Sequence, residues 1–308
     1  MSDRIDPPAE AGEPLGEPNG EPLGADTPVV IADAPAKPEG NALWREVKGL
    51  AGVLLAVLAF HSFIAKPFYI PSESMMPVLL KGDRLVVSKY PYGWSWVSPS
   101  FHILPRWDGR IMGRLPERGD IVIATPPDTN EDYIKRLIGL PGDTVEVRGG
   151  RLILNGVPVK SEIRPPAMIP VDANAPCAVD QFPGNLIEQA DGRRFCRLPI
   201  VRETLPGGRT YDTIDLGNSP GDDYPQVTIP PDHVFLMGDN RDRSSDSRFP
   251  LGPPENGLGG PVPWENIGGR AEFLTFSLDG SASWLNPISW FQALRPGRAG
   301  NSLHPAKR

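Results

Sequence analysis

From Gly49 to Ala65 the chain carries no charge: GLAGVLLAVLAFHSFIA. A helix of this composition is apolar around its whole circumference, not along one stripe, and it shows no capping residues. That suits lipid better than a protein core. At ~1.5 Å per residue the run falls slightly short of a ~30 Å hydrocarbon layer. Trp44 and Val47 before it and Pro67-Phe68-Tyr69-Ile70 after it extend it into both interfaces. The segment therefore predicts one transmembrane anchor over residues 44–66. It begins too far along the chain for a cleaved leader. Arg45 and Lys48 stand upstream against Lys66 downstream, a slight positive bias that puts the N-terminus in the cytoplasm and the remainder outside.

Beyond the anchor the chain reads as sheet. Its 308 residues include 33 glycines and 38 prolines, a density that breaks helices and favours short strands joined by turns. DRLVVSK (Asp83–Lys89), DIVIAT (Asp120–Thr125), DYIKRLIGL (Asp132–Leu140) and HVFLMGD (His233–Asp239) are branched-rich runs closed by turn residues. In DTVEVRGGRLILNG (Asp143–Gly156) two alternating runs flank Gly149-Gly150, a dipeptide suited to a primed hairpin turn. The expected fold is mainly β: one transmembrane helix, then an antiparallel β-sheet domain over residues 67–295 with an inserted β-rich subdomain at about 160–230. Residues 1–43, poor in aromatics and rich in Pro, Gly, Glu and Ala, are expected to be a disordered cytoplasmic tail. WLNPISWFQAL (Trp284–Leu294) reads either as an interfacial anchor or as a terminal helix on the core, and residues 296–308 as a basic tail. The net charge of −7 lends nothing to a nucleic-acid partner. Cys177 and Cys196 are too few for a disulfide scaffold. Outside the cytoplasm they are expected to form one bridge, the alternative being two buried thiols.

Several chemistries drop out. The chain has no G-x-S-x-G elbow, no H-E-x-x-H helix and no G-K-[ST] phosphate loop, and His61, His102, His233 and His304 are scattered. A hydrolase built on this sequence needs a base other than histidine. Lysine serves if burial strips its proton. In DYIKRLIGL, alternation sets Tyr133, Lys135 and Leu137 on one face, so Lys135 has apolar company. Taken alone, the strand equally describes a surface lysine on a sheet edge. The serine side is PSESMMPVLLKGD, where Pro71 and Pro77 bracket a constrained turn. Ser72 and Ser74, two apart, point to one side of an extended segment: one hydroxyl to attack, one to donate to an oxyanion. Taken alone, this turn is also a polar loop following the membrane helix.

Three stretches in order settle the comparison: PSESMMPVLLKGD, YIKRLIGLPGD and GDNRDRSSDSR. After an N-terminal membrane segment, they resemble the successive motif boxes of bacterial type I signal peptidases, Ser/Lys proteases of the inner membrane. The resemblance implies Ser74 as nucleophile and Lys135 as general base, with Ser72 and the Ser74 N–H as the oxyanion hole. Ser244 matches the residue that orients the lysine, and Asp246 and Arg248 a supporting ion pair, with Tyr133 beside the base. It further implies two antiparallel sheets around a strand-lined cleft, a peptidase domain outside the cytoplasmic membrane, and no metal or cofactor; many relatives carry two membrane segments, where this sequence shows one. The implied partners are membrane lipid and exported preproteins with small residues at −1 and −3. Glu73 stands where the family commonly has glycine, and Val78 where it has threonine. Cys177 and Cys196 are similar only loosely to a disulfide of some relatives. A bridge there lies outside all three stretches, so its loss is expected to touch stability more than chemistry. A self-cleaving Ser/Lys repressor, soluble and DNA-binding, is the other enzyme reading, and an inactive periplasmic adaptor the non-enzymatic one.

Overall fold

A computed structural model describes residues 42–102, 104–283 and 285–307. The expectation for the acidic N-terminal stretch lies, up to residue 41, outside the described residues. The apolar run forms helix α1, Ala42–Phe63, 22 residues long. From Leu43 to Phe60 its side chains are exposed. Over Leu43–Phe63 the mean hydropathy is 1.5, and the helix is long and apolar enough to cross a membrane. The helix stops earlier than residue 66. Strand β1 (Ala65–Tyr69) takes over and pairs antiparallel with β2 (Asp83–Ser88). Pro67, Phe68 and Tyr69 thus belong to a sheet, whose backbone bonding outweighs an extension of the helix.

Most of the expected strands form. β3 (Ile121–Ala124) and β4 (Tyr133–Gly139) follow, then the hairpin β5 (Thr144–Arg148) and β6 (Arg151–Leu154). Gly149 and Gly150 link the hairpin with φ of 51° and 74°, the positive values a type I′ turn demands. A short β7 (Val157–Pro158) precedes a long β8 (Lys160–Pro170). Next come β9 (Leu186–Glu188), β10 (Arg194–Thr204), β11 (Arg209–Thr213) and β12 (Tyr224–Thr228). The remaining elements are β13 (His233–Met237), β14 (Val262–Pro263), β15 (Ile267–Ser277), the short helix α2 (Pro287–Gln292) and β16 (Ala306–Lys307).

These strands make three antiparallel sheets. The largest runs β1-β2-β15-β3-β4-β13-β14 and sets β4, which carries the second motif, beside β13, which leads into the third. A second, β16-β11-β10-β8 with β9 on β10, is built mainly from the proline-rich stretch after residue 160. The third is β12-β5-β6-β7, so β12 leaves that stretch to join the hairpin. The C-terminal residues are folded back, not a free tail. Arg295 pairs with Asp172, Arg298 pairs with Asp83, and β16 adds to β11. Helix α2 has no buried residue, which excludes a terminal helix packed into the core.

The cores explain where the serine turn sits. Met75 and Leu79 are buried with Ile70, Leu85, Val87 and Leu274 of the large sheet. Met76 and Leu80, one residue on in each case, are buried with Ile169, Leu198 and Ile200 of the second sheet. The turn after Ser74 is therefore wedged between two apolar cores, and packing on both sides fixes its position.

Candidate active site

Ser74 reaches its position through local backbone bonds. Met76 N–H donates to the Glu73 carbonyl at 3.1 Å and Leu79 N–H to the Met75 carbonyl at 2.9 Å, so the chain coils immediately after the serine. Asn240 pins the turn from the strand β13 side: its backbone N–H donates to the Ser74 carbonyl at 3.0 Å and its side-chain amide to the Glu73 carbonyl at 3.2 Å. This approach requires a bare backbone at Gly238. A Cβ there would lie 2.6 Å from the Ser74 carbonyl oxygen and 2.2 Å from Ser244 Oγ. Glycine at this point of the third motif is a steric necessity.

Lys135 comes from the middle of β4, a strand buried along nearly its whole length. Its Nζ donates to Ser74 Oγ at 3.1 Å and to the Ile134 carbonyl at 3.1 Å. The Tyr133 ring lies beneath the ammonium, 5.4 Å from Nζ to centroid. Ser72 Oγ is 3.3 Å from Ser74 Oγ. Ser74 and Lys135 are both buried, while Ser72 is exposed. Burial lowers the lysine pKa to about 8, because the charged form loses its water. The Asp246 and Asp239 carboxylates oppose that shift and the Arg248 guanidinium adds to it.

The third motif forms a charged layer behind the lysine. Arg248 clasps Asp246 with two side-chain bonds of 2.9 Å, and Gly238 N–H donates to the same carboxylate at 2.9 Å. Burial works against the Asp246 charge, yet Arg248 and these backbone donors outweigh it and hold its pKa below the usual carboxylate range. Ser244 behaves differently from the expectation that it orients the lysine. Its Oγ is buried against Gly238 and has no hydrogen-bond partner among the described residues. Lys135 spends its second bond on its own strand's Ile134 carbonyl instead. Cys177 and Cys196 are bonded, with Cα atoms 5.5 Å apart, and are buried in one cluster with Met76 and Leu80 of the serine turn.

Sequence reasoning missed a second set of buried charges. Arg136 grips Asp239 at 2.7 and 2.6 Å, and Arg241 pairs with Glu203, which also accepts from the Tyr211 hydroxyl at 2.6 Å. Arg136 also stacks over the Tyr211 ring at 4.4 Å. The network ties β4, which carries Lys135, to the turn after β13 and to β10 and β11. The sequence offered no local signal for it: alternation reads β4 as one face in and one face out, and only burial on both faces makes Arg136 need an anion.

Comparison with known proteins identifies the family. The profile of the family described as signal peptidase, peptidase S26, matches residues 43–276. The chain belongs to that family and is a peptidase of this kind. Signal peptidase I of Rickettsia typhi and that of Rickettsia prowazekii are each 33% identical to it over 279 residues, covering 84% of this chain and 94% of theirs. A solved signal peptidase I from Enterococcus faecalis is 24% identical and spans 51% of this chain and 97% of its own, with a TM-score of 0.26. That score is too low to bear on the fold.

Proposed function

We propose that the protein removes N-terminal signal peptides from exported preproteins by acyl transfer, with Ser74 as nucleophile and Lys135 as general base. The observation that carries this reading is the 3.1 Å contact between Lys135 Nζ and Ser74 Oγ, made by a lysine whose pKa burial has lowered to about 8. The neutral amine takes the hydroxyl proton as Ser74 attacks the scissile carbonyl. Ser72 Oγ, next to Ser74 Oγ, donates to the developing oxyanion together with the Ser74 N–H. The ammonium then gives its proton to the leaving amine. The same lysine, neutral again, activates the water that splits the ester and frees the signal peptide. Tyr133 shields the amine, and the Asp246–Arg248 pair holds the surrounding backbone. Helix α1 supports a single-pass anchor in the cytoplasmic membrane, with the sheets on the outer side where the substrate emerges. The substrate docks as an added strand and presents small residues at −1 and −3.

Mutation tests the pair directly. Ser74→Ala and Lys135→Ala are each expected to abolish preprotein cleavage while the enzyme stays folded, and the double variant is expected to be no worse, since the two act as one unit. Ser72→Ala is expected to lose about 10²-fold in kcat, the worth of one oxyanion donor. Measurable turnover by folded Ser74→Ala or Lys135→Ala removes the assignment.

A further inference from the structure

Glu73, the residue between the two serines, is tied to a loop that lies outside all three motif stretches. With the Gln181 side-chain amide turned so that its nitrogen faces the carboxylate, it donates to the two Glu73 oxygens at 3.0 and 3.2 Å. This orientation satisfies both groups. The loop bearing Gln181 is itself well held. The N–H groups of Gln181 and Phe182 both donate to the Ala178 carbonyl, at 3.0 and 2.8 Å. Cys177 immediately precedes this turn and is bonded to Cys196 on β10. Phe182 and both cysteines are buried in the same cluster as Met76 and Leu80 of the serine turn. The loop therefore has a covalent root, a closed backbone turn and a packed aromatic ring, with Gln181 as its polar tip.

The same contact borders the chemistry. Pro71, Ser72, Lys81 and Arg243 join Glu73 and Gln181 in lining a cavity of about 250 Å³, so Ser72 opens onto it. The Glu73 carbonyl already accepts from Asn240 and Met76. Those bonds hold the main chain on the Ser74 side. The carboxylate–amide contact adds a tie to the Glu73 side chain from the loop between β8 and β9.

We propose that Gln181 is a positioning residue for peptide-bond hydrolysis: braced by the Cys177–Cys196 bridge, it acts through Glu73 to fix the Ser72 hydroxyl relative to Ser74. This rests on the reading of Ser74 as nucleophile and Ser72 as oxyanion donor. It changes the expectation for the disulfide. The bridge is remote from the motifs in sequence, but its loop ends on the side chain of the residue between the two serines, so opening it reaches the chemistry. An oxyanion donor acts only as charge develops, and a shift of ~1 Å costs up to about 10²-fold in rate. The loss therefore falls on kcat and spares KM.

The test uses the full-length enzyme in detergent with a preprotein substrate, and measures kcat, KM and Tm for each variant. Gln181→Ala is expected to lower kcat about tenfold, with KM within about twofold and Tm unchanged. Gln181→Glu, which sets two carboxylates against each other, is expected to lower kcat further. The paired change Cys177→Ser and Cys196→Ser is expected to lower kcat below its own Tm, and to add little in a Gln181→Ala background. Unchanged kcat in Gln181→Ala, a loss confined to KM, or a kcat loss that tracks Tm overturns the proposal. Turnover by Ser74→Ala in the same assay is a separate result and removes the nucleophile assignment instead.

Discussion

Lys135 does its work only as a free amine. Its pKa is lowered to about 8 by burial first, with Arg248 helping and with Asp246 and Asp239 opposing. Below that value the lysine is an ammonium and cannot accept the Ser74 proton. The dependence of kcat/KM on pH is therefore expected to rise with an apparent pKa near 8. Asp246→Asn removes an opposing anion and frees the Arg248 charge, and both changes disfavour the ammonium. The rising limb is expected to move to lower pH, although the maximal rate falls as the Asp246 bonds are lost. A limb that moves to higher pH in this variant contradicts the electrostatic account. The stability sign is the reverse of a salt-bridged lysine. Between about 8 and the ordinary 10.5 the unfolded chain binds more protons than the folded one. Burial of Lys135 thus costs stability in full below pH 8, and that cost is relieved as pH rises through this window.

Strand β4 and the turn after β13 are joined by one buried ion pair, and that pair decides whether the lysine strand is well placed. Arg136 and Asp239 are both almost wholly buried. Removing one partner leaves the other charge stranded in a low dielectric, at a cost of about 3–5 kcal/mol. Asp239→Ala is expected to destabilise the detergent-solubilised enzyme by that amount in a urea titration. Arg136→Met combined with Asp239→Leu is expected to recover most of it, because two apolar groups need no pairing. If the double variant is as unstable as Asp239→Ala, the penalty lies in packing and not in charge. These elements also show what the sequence could reveal. The β4 strand and the Gly149-Gly150 hairpin were legible because alternation and turn chemistry are local signals. The burial of β4 on both faces was not. Tyr133, Lys135 and Leu137 against Ile134, Arg136 and Ile138 reads as one face in and one face out. The partner of Arg136 lies 103 residues away, and no local pattern names it. Ser72, Ser74 and Lys135 were legible as candidates because two of the three motif stretches carry them. The tie from Gln181 to Glu73 was not, because it depends on how a disulfide loop of no local periodicity folds back onto the serine turn.

At the scale of the whole chain, compartment is the remaining physical question. The proposed anchor and its orientation rest on three features. Helix α1 is exposed from Leu43 to Phe60 and is long and apolar enough to cross a membrane. Arg45 and Lys48 on its upstream side outweigh Lys66 downstream, which favours a cytoplasmic N-terminus. The Cys177–Cys196 bridge belongs in an oxidising compartment, and it lies downstream of the helix. The exposed apolar side chains Leu285, Ile288 and Phe291 of the C-terminal segment are also on the downstream side, a composition that tolerates a lipid–water interface. In the proposed topology a single crossing leaves residues 1–43 inside and all residues after Lys66 outside. Protease added to intact spheroplasts is expected to digest the sheets and to leave a small protected fragment containing the N-terminal stretch and α1. An epitope placed before residue 43 should survive and one placed after residue 300 should be lost. After lysis both should be lost. Protection of the C-terminal epitope in intact cells would mean that the chain is inserted the other way round. In that case the disulfide would face a reducing cytoplasm, the serine–lysine pair would be separated from exported substrates, and the signal-peptide reading would fall with the topology.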